Sequence, residues 1–377
     1  MRALFVTSPV LSHAFPTIPV AHALIAAGHE VRYALGAALE AVTDAGLHAV
    51  DVTPGLDYDK IWVPDGAEDP MYVKDAGVEF LAELFGRVSG AEVDGVLKAA
   101  RAWSPDVIVH SAAQGAGALA ASALGIPCVE LPLGPADSDP RLAGLLRAAM
   151  KGDYERHDVA GTPRATARIS SVPARLAHLL PGGQRPDDEW LMRYVPHNGG
   201  GTLPDWLLTV PERPRIAVTL GSIGAQWGGI AMLAPLMAEA ARVDAEFVLT
   251  LGGGDAELLG ELPENVRTVE WVPLAPLLET CAGIVHHGGS GTLLTAMRLG
   301  VPQCVLPDGA YQQANSAVLV GSGAGFAADP TTIGTEECRR LLLDGELRGA
   351  AEGLRREMAD TMPTPAELVP RLVDLAG

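Results

Sequence analysis

The sequence has 377 residues, of which 48% are hydrophobic, and a formal net charge of −19 at pH 7. This length predicts two domains, because single domains usually have about 100–200 residues, and the apolar fraction excludes a disordered chain. The negative charge argues against a nucleic-acid partner, since such binding depends on Lys and Arg side chains that displace counterions from phosphates.

The first predicted strand covers residues 3–6, a continuous apolar run typical of a strand that is buried on both faces. Apolar residues at helical spacing follow, such as Val20 and Leu24, then a stop at Gly28 and a strand over residues 31–35. This order predicts a βαβ unit. The start resembles no signal peptide and no apolar run reaches about 18 residues, so we expect a cytoplasmic protein without a membrane span.

The second half of the chain starts the same plan again. Residues 216–220 form another apolar run, followed by a glycine-containing turn, a helical stretch over residues 231–242 and a strand over residues 247–251. Strands that alternate with helices predict the α/β class, with two Rossmann-like, doubly wound parallel-sheet domains facing a cleft. Ligands are then expected at the carboxyl ends of the strands.

The richest Gly and Pro segments, at residues 198–204 and 211–214, mark the predicted domain boundary. We therefore predict a first domain over residues 1–200, a linker over residues 201–213 and a second domain over residues 214–377. The C-terminal helix of the second domain can cross back to the first.

A glycine-rich turn between a predicted strand and a predicted helix indicates an anion-binding site. The strand at residues 284–285 is followed by His286-His287-Gly288-Gly289-Ser290-Gly291-Thr292, which opens the helix. Glycines let a backbone approach a phosphate, and a helix N-terminus presents N–H groups to which Ser and Thr hydroxyls can add donors. Gly-Ser-Gly alone is also typical of a tight turn with an N-cap. The two preceding histidines favour phosphate binding.

Five short motifs follow one another in the second half, at residues 271–274, 286–292, 299–302, 306–307 and 312–315. In order and spacing they resemble the donor-binding signature of the glycosyltransferases that decorate natural products in actinomycetes. These enzymes are a branch of the UDP-glycosyltransferase-like superfamily with the GT-B fold, and the resemblance covers nearly the whole chain. It implies transfer of a deoxysugar from a dTDP- or UDP-sugar donor to a hydroxyl of an apolar, polyketide-like acceptor, with inversion at the anomeric carbon.

The resemblance also implies roles for individual residues at the donor site. The Trp271 ring would stack on the base, the Val272 backbone would bind the base edge, and His286, or else His287, would contact the pyrophosphate. The full implied donor set is Gly221, Ser222, Trp271, Val272, His286, His287, Gly288, Gly289, Ser290, Gly291, Thr292, Asp308, Gln312 and Asn315. Related enzymes carry an acidic residue before the glutamine. Here that residue is Tyr311, which suggests a hydroxyl-poor deoxysugar or a role taken over by Asp308.

His13 is the catalytic base that the resemblance implies. It lies in the segment 12–16 after the first strand, where related enzymes carry a histidine, and the pKa range of an imidazole suits proton abstraction at neutral pH. The aspartate that commonly orients this histidine is missing, because the corresponding positions are His110 and Ser111. Ser111 is therefore expected to hold His13 through its hydroxyl, or the acceptor is a phenol acidic enough to need little help.

No cofactor and no metal are expected, with the sugar nucleotide as co-substrate. The Asp-x-Asp matches at residues 57–59 and 137–139 are attributed to chance in a chain with 46 acidic residues, because a helix start and hydroxyls can stabilise the leaving diphosphate. Neither half carries Gly-x-Gly-x-x-Gly, which disfavours a dehydrogenase. The alternatives are C-glycosylation of an aromatic ring, against which His13 argues, and a non-catalytic nucleotide-sugar-binding activator, which the missing aspartate motivates. A homodimer is compatible with either reading.

Overall fold

The computed structural model describes residues 1–63, 77–186, 189–221 and 229–377. The chain forms two compact units, Met1–Gly199 together with Met362–Gly377, and Gly200–Thr361. Each unit contains a sheet of parallel strands. The prediction of two parallel-sheet α/β domains is confirmed.

The strands of the first unit are β1 Arg2–Val6, β2 Glu30–Leu35, β3 Ala49–Asp51, β4 Val107–Ser111, β5 Cys128–Leu131, β6 Thr166–Ser170 and β7 Trp190–Leu191. They form a seven-stranded sheet with the order β3-β2-β1-β4-β5-β6-β7. The helices of the N-terminal segment are α1 Leu11–Ala14, α2 Ile18–Ala26, α3 Glu40–Thr43, α4 Asp59–Trp62, α5 Val78–Trp103, α6 Gly115–Leu124, α7 Leu142–Ala149 and α8 Lys151–Arg156.

Both faces of this sheet are buried, as is usual for parallel sheets. Because side chains alternate along a strand, Phe5 of β1 packs with α2 on one face, whereas Leu4 packs with α5 and α6 on the other. The apolar run at residues 3–6 is therefore a strand with a core on each side.

The strands of the second unit are β8 Arg215–Thr219, β9 Glu246–Thr250, β10 Val266–Val269, β11 Gly283–His286, β12 Gln303–Val305 and β13 Gly325–Ala327. They form a six-stranded sheet with the order β10-β9-β8-β11-β12-β13. Its helices are α9 Ala234–Glu239, α10 Leu274–Leu278, α11 Ser290–Leu299, α12 Ala310–Ser322, α13 Thr335–Leu343 and α14 Gly345–Asp360.

The strand order reverses once in each sheet, between β1 and β4 in the first unit and between β8 and β11 in the second. In open parallel sheets the loops at the carboxyl ends of such a strand pair separate and leave room for a ligand. His13 follows β1 and Ser111 ends β4, whereas Gly221 follows β8 and His287 follows β11. The topology therefore brings predicted site residues to the switch point of each unit.

The C-terminal helix α15, Pro365–Ala376, belongs to the first unit. Its buried side chains Leu368, Val369 and Leu372 join the core that contains α2, and a capping box between Thr364 and Glu367 fixes its start. The second unit consequently ends at Thr361, and the C-terminal helix packs on the first unit, in line with the crossing back that the sequence analysis allowed for. The apolar face of α15 is buried in the first unit although the helix follows the second unit along the chain.

The predicted linker, residues 201–213, is part of the second unit. Leu203, Trp206 and Leu207 belong to the apolar cluster that contains Val272. The Gly and Pro residues do accompany the change of unit, but the apolar side chains between them hold the segment in a core. Among the described residues, no helix has the length and apolar composition needed to cross a bilayer.

Leu372→Ala is expected to lower the free energy of unfolding by about 2–5 kcal/mol, the usual cost of truncating a buried leucine. Leu372 is fully buried, whereas the next residue, Val373, is 37% exposed, so Val373→Ala should change stability by about 0.5 kcal/mol or less. Urea unfolding of the two variants measures the difference. Equal effects would contradict the packing of α15 on the first unit.

Candidate active site

A sharp turn joins β11 directly to α11 in the second unit. Gly288 in this turn has a φ of +97°, a left-handed conformation that side chains beyond glycine rarely adopt. A Cβ at this position would lie 3.0 Å from Val305 Cγ1 and 3.2 Å from the Gln312 carbonyl oxygen. The turn therefore requires glycine at position 288 and brings the start of α12, where Gln312 lies, against the start of α11.

His286, the last residue of β11, holds this turn through its buried ring. Its fully buried ring donates from Nε2 to Gln303 Oε1 at 2.9 Å, and its Nδ1 accepts from the Gly288 N–H at 3.1 Å. Burial lowers the pKa of His286 to about 3, so the ring is neutral at neutral pH. Both nitrogens are occupied by protein groups, so a contact between His286 and the pyrophosphate would require one of these two bonds to break.

His287 is partly buried in the same turn, between Gly221 and Gly289. A Cβ at Gly221 would lie 2.9 Å from His287 Cε1, and one at Gly289 would lie 2.5 Å from His287 Nε2. Its Nδ1 is buried and has no hydrogen-bond partner within the described ranges, and burial lowers the pKa of the ring to about 4, against the effect of a hydrogen bond to the Thr219 backbone. Of the two histidines, His287 is the one with an unused nitrogen beside the turn.

The N-terminus of α11 is held by a polar cluster. Asn315 donates from Nδ2 to the Gly288 carbonyl at 2.9 Å and to Ser290 Oγ at 3.0 Å, and Ser290 Oγ lies 2.8 Å from the Tyr311 hydroxyl. Asn315 is fully buried, so it fixes the turn from behind, where the sequence predicted a ligand contact.

The cap position of α11 carries no side chain to close the helix, because it is Gly289. Gly291 and Thr292 follow Ser290 in the first turn, and Thr292 is partly exposed. A helix start of this kind presents backbone N–H groups and the positive end of the helix dipole, both of which attract anions. The arrangement can therefore receive a phosphate group.

The loop after β8 adds the other side of the switch point. Gly221 has a φ of +71°, and its N–H donates to Thr219 Oγ1 at 3.2 Å. Thr250 at the end of β9 donates to the same oxygen at 2.7 Å. Ser222, which the sequence also assigns to the donor site, lies outside the described residues.

Trp271 and Val272, in the loop after β10, differ in burial. The Val272 side chain is buried and packs in one cluster with Ile284 of β11 and Ala296 of α11, whereas the Trp271 ring is 48% exposed. The loop is thus fixed on the elements of the glycine turn, and the indole is available for stacking. Asp308 is exposed before α12, and Gln312 is partly buried in its first turn.

His13 lies on α1, at the switch point of the first unit. It is 8% exposed, and its ring stacks on Phe85 of α5 with centroids 5.2 Å apart. Burial lowers its pKa to about 3, well below the near-neutral range expected of it, because no carboxylate among the described residues balances the cost of desolvating the charged ring.

The predicted hydrogen bond between Ser111 and His13 is not formed. His13 Nδ1, Ser111 Oγ and Thr7 Oγ1 are all buried without hydrogen-bond partners in the part of the chain that the structure describes. Val6 pairs with His110 across β1 and β4, so Thr7 and Ser111 follow neighbouring strand positions. The ring of His13 is oriented by Phe85 and not by Ser111.

A buried carboxyl group that the sequence analysis missed lies near the same switch point. Glu92 of α5 is fully buried and accepts hydrogen bonds from the Tyr58 hydroxyl at 2.6 Å, Gln114 Nε2 at 2.5 Å and the Gly36 N–H at 3.0 Å. Burial raises its pKa to about 7, against the effect of these hydrogen bonds. The available signal was an acidic residue on the apolar face of a long helix, one position before Val93 and four before Val96.

The two Asp-x-Asp matches have ordinary protein partners. Asp57 pairs with Lys60, and Asp139 pairs with Arg141 at 2.9 Å. Within residues 1–63, 77–186, 189–221 and 229–377, no group of three or more His, Cys, Asp or Glu side chains is arranged to hold a metal ion.

Comparison with known proteins identifies the family. Models of the erythromycin biosynthesis protein CIII-like N-terminal and C-terminal domains match residues 22–221 and 234–375. The elloramycin glycosyltransferase ElmGT of Streptomyces olivaceus is 35% identical over 99% of this chain and 97% of its own length. The chain belongs to the EryCIII-like glycosyltransferases. Within this EryCIII-like enzyme, the C-terminal match includes the glycine turn and Trp271, whereas His13 precedes the N-terminal match.

Two solved structures have the same fold as this EryCIII-like glycosyltransferase. The glycosyltransferase SnogD from Streptomyces nogalater is 59% identical, with a TM-score of 0.93 and full coverage of both chains. The glycosyltransferase VinC, solved in complex with dTDP, is 30% identical, with a TM-score of 0.79 over 100% of this chain and 99% of VinC. The resemblance to natural-product glycosyltransferases with the GT-B fold is confirmed.

The buried histidines predict that mild acid destabilises the protein. His13, His286 and His287 have folded pKa values of about 3, 3 and 4, below the unfolded value of about 6.5, so the unfolded chain binds more protons. Their contribution to stability is complete above about pH 6.5 and is lost as the pH falls toward the folded values. Each adds a slope of about 1.4 kcal/mol per pH unit in that window.

Urea unfolding at about pH 7 and about pH 5 measures this loss of stability. His286→Gln removes one titrating group and should make the loss smaller, while His22→Gln, at an exposed position of α2, reports the cost of the substitution itself. An unfolding free energy that is equal at both pH values would show that these rings are not buried in the neutral form.

Proposed function

We propose that this glycosyltransferase moves a deoxysugar from dTDP to a hydroxyl group of a polyketide-like natural product, with inversion at the anomeric carbon. The observation that carries the proposal is the glycine turn before α11, which places the start of a ten-residue helix at the carboxyl edge of the second sheet, at its switch point. The ligand classes are supported by VinC, solved with dTDP, and by ElmGT, named for elloramycin.

The second unit is proposed to bind the donor. The exposed Trp271 ring stacks on the base, and the diphosphate accepts hydrogen bonds at the first turn of α11, from its backbone and from the Thr292 hydroxyl. Neutral His287 carries one N–H, which its tautomer directs either to the Thr219 backbone or to the diphosphate. As the sugar leaves, negative charge grows on the diphosphate, where the helix dipole and the first-turn donors already point. No metal and no cofactor enter this proposal.

Tyr311 supports the assignment of a sugar with few hydroxyl groups. It occupies the position before Gln312, where related enzymes carry a carboxylate, and its own hydroxyl is engaged with Ser290. Without the carboxylate, a sugar rich in hydroxyl groups would find fewer hydrogen-bond acceptors at this position. Polar groups left without a partner in a binding site lower the affinity for the ligand. A deoxysugar has fewer hydroxyl groups that need such acceptors.

The first unit is proposed to bind the acceptor at its own switch point. Thr7 Oγ1, His13 Nδ1 and Ser111 Oγ have no hydrogen-bond partner among the described residues and so offer hydrogen-bonding capacity there. Buried polar atoms are normally satisfied by a ligand or water when the protein does not satisfy them.

The reaction is a direct displacement at the anomeric carbon. The acceptor oxygen forms a bond to that carbon, the bond from the carbon to the diphosphate oxygen breaks with its electron pair, and the hydroxyl proton moves to the imidazole of His13. Burial keeps His13 neutral, so the ring can accept a proton at neutral pH. Because this ring is a weak base, we expect the proton to move as the new bond forms. General-base catalysis then accelerates transfer to an alcohol more than transfer to an acidic phenol.

His13→Ala is expected to reduce turnover by about 100-fold to 10,000-fold with an aliphatic alcohol as acceptor, the usual contribution of a general base. The Kd for dTDP should stay unchanged, because the donor groups belong to the second unit. Wild-type kcat/KM should stay level from about pH 7 to about pH 5 and fall only as the pH approaches about 3, since burial has lowered the pKa of the ring to about that value. Release of dTDP from a dTDP-deoxysugar, with and without acceptor, measures turnover.

The matched control is His22→Ala, which removes an exposed histidine from α2 and should leave turnover unchanged. Equal rates for wild type and His13→Ala on the alcohol would refute the assigned base. A folded wild-type protein that binds dTDP but never releases it from any donor would instead favour the activator role over catalysis.

A further inference from the structure

Glu92 connects three loops at the carboxyl edge of the first sheet. Gly36 follows β2, Tyr58 precedes α4, and Gln114 lies between β4 and α6, and each donates a hydrogen bond to the one carboxyl group. A Cβ at Gly36 would lie 2.6 Å from Glu92 Oε1 and would overlap the Tyr58 hydroxyl. The close approach of the loop to the carboxyl group thus requires glycine at position 36.

Other residues on the same side of α5 hold the loops that carry the acceptor site. Phe85, Ser89 and Glu92 are spaced by four and three residues, so they share one helix face. Phe85 stacks on His13, and Ser89 Oγ accepts from the Gly115 N–H at 2.9 Å. One face of α5 therefore contacts His13, the β4–α6 loop, and through Glu92 the loops at Gly36 and Tyr58.

The loop after β1 is tied into the same arrangement. Ser8 donates from Oγ to the Ala113 carbonyl at 3.0 Å, which joins the segment that leads to His13 to the β4–α6 loop. Gln114 in that loop accepts from the Ala116 N–H at 2.7 Å and so caps α6. A shift of Gln114 would move both the start of α6 and its neighbour Ala113.

The energetics of the site are unfavourable for a purely stabilising role. Burying a carboxyl group costs several kcal/mol unless its hydrogen bonds are complete, and an apolar side chain of similar size often gives equal or greater stability. All three donors to Glu92 belong to loops, and none belongs to the apolar packing of α5. The carboxyl group fixes the spacing of those loops, a task that an apolar residue cannot perform.

We propose that Glu92 is a positioning residue for the acceptor, which sets the distances between the loops at Gly36, Tyr58 and Gln114 and thereby the acceptor that the His13 site takes. The proposal rests on the function proposed above. Glu92 acts through these loops and does not itself touch the reacting atoms.

The test begins with Glu92→Gln. The new amide can still accept from Gly36 and Tyr58 through its oxygen, but its NH2 group then meets the NH2 group of Gln114, whose own oxygen is occupied by the Ala116 N–H. We expect kcat/KM for the acceptor to fall about 10-fold to 100-fold, mainly through a higher acceptor KM, as for displacements of the order of 1 Å. The Kd for dTDP should stay within about twofold of wild type, because it reports the second unit.

The double variant E92Q/Q114E exchanges the two side chains and supplies the rescue. The amide now at position 92 would donate to the carboxylate now at position 114, whose second oxygen still accepts from the Ala116 N–H, so every group is paired again. Single Q114E would place two carboxylates together and should impair the acceptor KM as well. Glu83→Gln, at an exposed position of α5, is the matched control.

The outcomes separate the possibilities. A raised acceptor KM in E92Q that returns toward wild type in the double variant supports the positioning role. A lowered Tm with an unchanged acceptor KM shows a stabilising role only and overturns it, as does a double variant that binds dTDP but recovers no acceptor affinity. If wild type and the Glu83→Gln control transfer no sugar, the proposed function fails, and the positioning role that rests on it is overturned with it.

Discussion

The proposed donor site of the second unit depends on one backbone conformation, the left-handed Gly288 between β11 and α11. Both backbone groups of this residue are bound by buried side chains, the N–H by His286 and the carbonyl by Asn315. A free turn of this kind would sample many conformations, but these two bonds fix where α11 begins. The helix dipole and the first N–H groups then point to a defined place, and such preorganisation is what stabilises a developing charge without cost at the moment of reaction.

The loops at the switch point are held by different chemical groups in the two units. In the second unit the loops at the switch point are held by a neutral imidazole and an amide, which leaves the positive helix start as the main charge-like feature. In the first unit the loops are held by the carboxyl group of Glu92 on α5. Neutral, buried His13 is the group to which the proposed mechanism assigns the proton of the acceptor hydroxyl. The proposed function uses this difference, with an anion bound in one unit and an uncharged hydroxyl compound in the other.

Much of this could be predicted from the sequence, because parallel strands and glycine turns leave local patterns. The apolar runs at residues 3–6 and 216–220 and the turn before α11 needed no long-range information. The same alternation that identifies β11 places His286 on the face of buried Ile284, so its inward ring could have been inferred, with His287 as the first residue beyond the strand. The Glu92 contacts join residues far apart in the chain, and no local pattern encodes such pairs. The missing bond between Ser111 and His13 likewise depends on Phe85, more than 70 positions from His13.

The most direct test of the central claim, that the turn at Gly288 presents α11 to the donor diphosphate, is a crystal structure of the wild-type protein with dTDP bound. The account predicts phosphate oxygens within hydrogen-bonding distance of the first turn of α11 and the thymine ring stacked on Trp271. A diphosphate bound elsewhere, with the first turn of α11 contacted only by water, would contradict it.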